Sequence, residues 1–128
     1  MNESDSTERT PWWREDGAPT VHLECITGAN TRTFDANIVF SAPVRNVELR
    51  TRGVEGGNEE WFVPEHSKHG SDGPVSVPVG HLTLPEHNDD SFEIETRFTW
   101  NEGERRVVFQ NSVAEFLRTS TASIIERR

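Results

Sequence analysis

The sequence has no tyrosine, a single cysteine, a single methionine and a single lysine in its 128 residues. Each scarcity excludes something. One cysteine, Cys25, rules out an internal disulfide and fits a reducing cytoplasm. No apolar stretch approaches the roughly 18 residues that a membrane-spanning helix needs. Met1 to Gly17 has no apolar core of the kind a secretory leader requires, so no leader is expected. Positive charge is scarce overall: 13 Lys+Arg against 22 Asp+Glu leave a net charge of −9. Affinity for phosphate rests on basic patches, so nucleic acid and anionic membrane are not expected partners. No Gly-Xaa-Ser-Xaa-Gly elbow is present, and the loop Gly53 to Gly57 lacks the Lys-Ser/Thr that would make it a phosphate cradle. No cofactor is implied.

What is there is alternation. From Ser91 to Trp100, Phe92, Ile94, Phe98 and Trp100 are large and apolar, while Ser91, Glu93, Glu95, Arg97 and Thr99 are polar. A period of two predicts a strand with one face buried and one wet. Arg105 to Gln110 follows Asn101-Glu102-Gly103-Glu104, which predicts a hairpin. A loop of odd length would turn Val107 and Phe109 to solvent, so an even loop is expected, with Val107 opposite Phe98 and Phe109 opposite Thr96.

Similar runs precede this hairpin. Val21, Leu23 and Cys25 alternate with His22 and Glu24. Phe34, Ala36, Ile38 and Phe40 form one side of a second run, closed by Ala42-Pro43. Val47, Leu49 and Thr51 form a third. Val75, Val77 and Val79 form another, in which Pro78 demands an edge or a bulge, and Leu82 and Leu84 continue it past Gly80. The sum is about seven short strands with turn residues between them, which predicts a mainly β, two-sheet antiparallel sandwich over residues 19–111. Its core is expected to hold Phe34, Ile38, Phe40, Val47, Leu49, Ile94, Phe98 and Val107. Residues 1–18 read as a flexible acidic arm bearing the pair Trp12-Trp13. Residues 112–128 read as an amphipathic helix: Ser112 and Glu115 form a capping box, and Val113, Phe116, Leu117, Ile124 and Ile125 share a stripe.

Charge composition adds a setting. Twelve arginines to one lysine, with sixteen glutamates and six aspartates, is the make-up of a salt-adapted surface. Crowded carboxylates hold water and counter-ions, and their repulsion is screened when the Debye length falls to about 3 Å in molar salt. The alternative is a GC-rich genome encoding Arg for Lys in an ordinary acidic protein.

Candidates for chemistry are few. His66 and His69 stand three apart in Glu65-His66-Ser67-Lys68-His69, with Asp72, His81, His87, Asp89 and Asp90 available to complete a metal shell. No cysteine pair supports them, and a solvated polar loop explains the same residues. Carboxylate pairs are too common to single out a glycosidase-like couple. Cys25 falls on the apolar parity of its strand, where a thiol is inert filler. Arg50 with Arg52, and Arg105 with Arg106, have carboxylate neighbours and read as surface ion pairs. Glu93 and Glu95 are expected on a wet face, offset by Arg97.

Two features suggest interaction surfaces. Trp12 and Trp13 are hot-spot residues if exposed, or a lid if they fold back. The stripe Phe116, Leu117, Ile124 and Ile125 covers either the chain's own sandwich or a partner.

Across Asn37 to Arg52, Val75 to Leu84 and Phe92 to Phe109, about half of the chain, the strand pattern resembles small immunoglobulin-like sandwiches. Two of their hallmarks are missing: there is no cysteine pair and no tyrosine to form a tyrosine corner. In composition, and in Val47-Glu48-Leu49-Arg50-Thr51-Arg52 through Phe62-Val63-Pro64-Glu65, the chain is similar to uncharacterised immunoglobulin-like β-proteins of halophilic archaea. That resemblance implies a setting and not an activity. The expected function is a non-enzymatic cytoplasmic interaction module whose partner is another protein. The alternative is a small ligand- or metal-binding, or catalytic, domain built on the loops 65–90.

Overall fold

Burial of one face per strand forces two sheets to close on each other, and that is the architecture of the computed structural model, which describes residues 17–27, 32–64, 68–69, 75–101, 103–119 and 123–125. Strands β1 (Val21–Thr27), β2 (Thr33–Phe40), β3 (Arg45–Arg52), β4 (Lys68–His69), β5 (Val75–Thr83), β6 (Ser91–Trp100) and β7 (Gly103–Ser112) lead into helix α1 (Val113–Thr119) and strand β8 (Ser123–Ile125). One sheet has the order β1-β2-β5-β4 and the other β3-β6-β7-β8, all pairs antiparallel. Without β8, this is the strand order of a constant-type immunoglobulin sandwich. No helix among the described residues is long and apolar enough to cross a membrane.

The core lies between the sheets. Phe34, Ile38, Phe40, Leu49, Ile94, Phe98 and Val107 are buried as expected, while Val47 is only partly buried against them. Aromatic rings join the layers: Phe40 meets Phe98 edge-on at 5.0 Å between centroids.

The β6–β7 hairpin turns through two residues, since Trp100 pairs with Gly103. Asn101 sits at φ 57, the left-handed conformation that asparagine tolerates in a tight hairpin turn. The parity is the expected one and the partners are not. Val107 lies opposite Thr96 and Phe109 opposite Ile94, two residues along from the register the apolar pattern suggested. Parity alone cannot tell registers two apart, because both keep the apolar set inward.

Pro78 is accommodated at a bulge. Asn37 pairs with Pro78 and Ala36 with Gly80, leaving Val79 as an extra residue. That single insertion switches the inward parity of β5 from Val75, Val77 and Val79 to Leu82, and so keeps both halves in the core. Gly80, at φ 144, takes the backbone conformation the bulge requires.

The tail departs from expectation. The helix ends at Thr119, and Ser123–Ile125 is a strand that pairs antiparallel with β7, Phe109 opposite Ile124 and Val108 opposite Ile125. A helix over 112–128 is therefore a correction. Ile124 and Ile125 are β-branched, a residue type that favours strand over helix, and the backbone there pairs with β7. The capping box is half formed: Ser112 Oγ accepts from Glu115 N at 3.1 Å, while the Glu115 carboxylate turns to Arg118.

Helix α1 plugs one end of the sandwich. Phe116 is fully buried, 4.7 Å from Phe34 and 5.3 Å from Phe92 by ring centroids, and Leu117 packs against the same core. Phe116→Ala should lower the unfolding free energy by about 3–5 kcal/mol, as a large core aromatic does, with no change in sedimenting mass from the parent. A loss below about 1 kcal/mol in denaturant titration would place Phe116 outside the core.

Candidate functional site

The outer face of β3, β6 and β7 holds most of the organised polar chemistry among the described residues. Register places Glu48 opposite Arg97, Arg50 opposite Glu95 and Arg52 opposite Glu93. Opposite charges directly across an antiparallel pair attract, so this sequence order favours the pairing it adopts. Arg97 Nε donates to Glu48 at 2.5 Å, with Glu104 at 3.9 Å.

Glu95 is the centre. Its residue is 3% exposed, not on a wet face as its parity suggested, and its partners are Arg50 and Arg106 rather than Arg97. Arg50 Nε donates to Oε1 at 2.8 Å, and Arg106 reaches Oε2 through Nε at 2.9 Å and a second guanidinium nitrogen at 2.5 Å. Burial alone would push the Glu95 carboxyl up. The hydrogen bonds from Arg106 and Arg50, with their charges, more than offset it and hold the carboxyl below its ordinary value.

Trp61 roofs this cluster. Its ring lies 4.4 Å from the Arg50 guanidinium carbon, 4.2 Å from that of Arg97 and 5.6 Å from that of Arg106. A ring face attracts cations, each exposed contact contributing about 0.5–1 kcal/mol. The loop that presents Trp61 is tied down on both sides. Leu49 and Phe62 exchange backbone hydrogen bonds at 2.9 Å, which covers the open edge of β3. Glu55 and Thr83 do the same, anchoring the loop to β5 of the other sheet. Gly56 is needed there, since a Cβ would come within 2.3 Å of the His81 carbonyl oxygen.

Two residues beyond Trp61 in the chain, an apolar side chain is left exposed. Val63 is 69% exposed and borders a groove of about 330 Å³ lined by Val44, Asn46, Val47, Glu48 and Pro64. Val63 and Ile26 are the exposed large apolar side chains among the described residues.

The residues singled out from sequence fare differently. Trp12 and Trp13 lie outside the described residues, as do His66 and Asp72 and the side chains of His69, Ile124 and Ile125. Phe116 was a candidate contact for a partner, and its complete burial assigns it to the chain's own core instead. His81 is exposed and its Nδ1 lies 2.8 Å from Asp35, its cross-strand neighbour. His69 pairs with Val75, six residues from His81 along β5, so about 20 Å of strand separates them at the usual rise and they cannot share an ion. His87 is exposed in the loop before β6, and its carbonyl accepts from Asp90 N at 3.1 Å. Among the described residues no group of three or more His, Cys, Asp or Glu side chains is placed to hold a metal. Cys25 is half-buried, and burial together with the nearby Glu24 charge pushes its thiol up to about 12. It is not a nucleophile at neutral pH.

No protein-family model matches the sequence, and no curated protein or solved structure matches it.

Sequence reasoning missed Trp61. Its signal was available only by combination: arginines at matching outward positions on three strands, and a tryptophan in a loop long enough to return over them.

The depressed Glu95 carboxyl gives a pH test with a definite sign. Its contribution to stability is present above the ordinary value of 4.5 and is lost as pH falls through the lower folded-state value. Glu95→Gln should cost about 2–3 kcal/mol at pH 7, because two guanidiniums keep their places without the charge that holds them. Urea unfolding from pH 7 to pH 3 should show the parent losing that advantage in the acid range. A gap between parent and variant that stays constant over the whole range would contradict the assignment.

Proposed function

We propose that this chain is a non-enzymatic, cytoplasmic protein-interaction module of a salt-adapted cell, and that its contact surface is the outer face of β3, β6 and β7. The observation that carries this reading is Trp61, seated on three arginines, together with the exposed Val63 and the mixed polar and apolar groove it borders. Tryptophan and arginine dominate the energetically important positions of protein interfaces. Held by Glu95 and Glu48, these side chains are ordered before a partner arrives, which lowers the entropy cost of binding.

Electrostatics point to the same face. The chain bears a net charge of −9, yet here opposed pairs such as Glu48–Arg97 and Arg50–Glu95 nearly cancel. An acidic partner approaches a charge-balanced patch with least repulsion. The acidic, lysine-poor composition suits a salt-rich cell, and the single half-buried cysteine suits a reducing compartment.

Immobilised full-length protein, exposed in molar salt to an extract of its native cells, should retain one defined protein. Val63→Asp should abolish that retention and leave the unfolding midpoint unchanged, since Val63 is exposed. Equal retention by parent and variant, or none by either, would remove the support for this face.

A further inference from the structure

We infer that the cleft between the start of β3 and the β6–β7 turn binds an apolar carboxylate, with Arg45 recognising the charge. The cleft shares Val44 with the groove beside Val63, but the inference does not rest on the reading of the Trp61 face.

A bulge shapes the cleft. Arg45 opens β3 opposite Thr99, and Glu48 pairs opposite Arg97, so Asn46 and Val47 together oppose Phe98 alone. Asn46 takes up the extra residue at φ 55, a left-handed conformation that asparagine tolerates. Its side-chain amide donates to Thr99 Oγ1 at 3.3 Å. Across the cleft the hairpin turn presents the Asn101 carbonyl, which accepts from Arg45 Nη2. One guanidinium nitrogen is thus fixed, while Nε and Nη1 are left for other acceptors.

Pro43, Val44, Arg45, Thr99, Trp100 and Asn101 line a volume of about 340 Å³. That lies within the range of small-ligand sites, about 300–1,000 Å³. Val44 and Trp100 are half-buried against the core and give the cleft apolar walls.

The polar groups of this lining donate. Arg45 is exposed and, unlike Arg50, Arg97, Arg106 and Arg118, meets no carboxylate among the described residues. Thr99 Oγ1 accepts from Asn46, so its hydroxyl hydrogen remains to be donated. Three other clefts among the described residues carry Glu48, Glu93 with Glu95, or Glu55, Glu59 and Asp90. This one carries no carboxylate. Glu104, across from Thr99, turns its own toward Arg97, 3.9 Å away.

In a chain of net charge −9, a guanidinium without a carboxylate is open to an acid from outside. A planar carboxylate matches its fork of donors. A phosphate would call for further cations, which Val44 and Trp100 do not supply. Those two side chains suit an aromatic or branched group next to the carboxylate. A free carboxylic acid and the last residue of a peptide share that chemistry.

The test is an NMR titration of the full-length protein in molar salt with N-acetylphenylalanine, its amide serving as the uncharged control. The acid should shift the Trp100 indole N–H and the Thr99 amide saturably, at roughly millimolar concentration for a ligand of this size. The amide should bind about tenfold more weakly, lacking the charge-assisted pair. Arg45→Gln should keep the parent's unfolding midpoint, since Arg45 is exposed, and should lose the preference for the acid. A short peptide ending in phenylalanine separates the two sources. Tighter binding than the acetylated residue, with Val63 methyl shifts as well, assigns the site to a chain end. Equal binding, with shifts confined to the cleft, assigns it to a free acid. Equal binding of acid and amide, a preference that survives in Arg45→Gln, or no saturable shift with either compound would overturn the proposal.

Discussion

Glu95 stands at the middle of β6 with one oxygen on Arg50 and the other on Arg106, and its chain neighbours Ile94 and Thr96 point the opposite way into the apolar interior. The strand is thus closed on both faces by different chemistry. Inward, Phe92, Ile94 and Phe98 meet the β1-β2-β5 sheet. Outward, a carboxylate is held between two guanidiniums, and the Trp61 ring stacks on Arg50 and Arg97 beside it. A buried charge is tolerable only when paired and hydrogen-bonded, so the outer network cannot be assembled piecemeal. It requires β3, β6 and β7 in register and the loop 53–64 folded back across them. The placement of Trp61 and Val63 depends on that one constraint.

The remainder of the fold can be followed from there. The loop that delivers Trp61 also covers the edge of β3 through Phe62 and ties to β5 through Glu55, so it joins the two sheets on one side. On another side α1 inserts Phe116 between Phe34 and Phe92. Among the described residues β1, β4 and β8 each have a strand on one side only.

Much of the fold was legible in the sequence because period-two burial is a local property. Phe34 to Phe40 and Phe92 to Phe98 announce their inward faces without reference to anything else. Registers are less local. The β6–β7 hairpin has the expected parity, yet Val107 meets Thr96 and not Phe98, since apolar pattern cannot separate alignments two residues apart. The tail was misread for a related reason. Val113, Phe116 and Leu117 do lie on a helix, but Ile124 and Ile125 fit its continuation by spacing alone, while β-branched residues favour a strand and the backbone there pairs with β7. The outer network was legible only in part. Ion pairing of Arg50 and Arg106 follows from neighbouring carboxylates, whereas the burial of Glu95 follows from a loop whose path has no signature of its own.

The central claim is that β6, closed on both faces, is the last element to open. Amide hydrogen exchange read residue by residue in molar salt tests it most directly. The amides from Phe92 to Phe98 should exchange only through global unfolding, with protection matching the denaturant-derived stability, and should remain the slowest in the chain. Exchange of those amides by local opening, at rates faster than those of Phe34 to Ile38 in β2, would contradict the account.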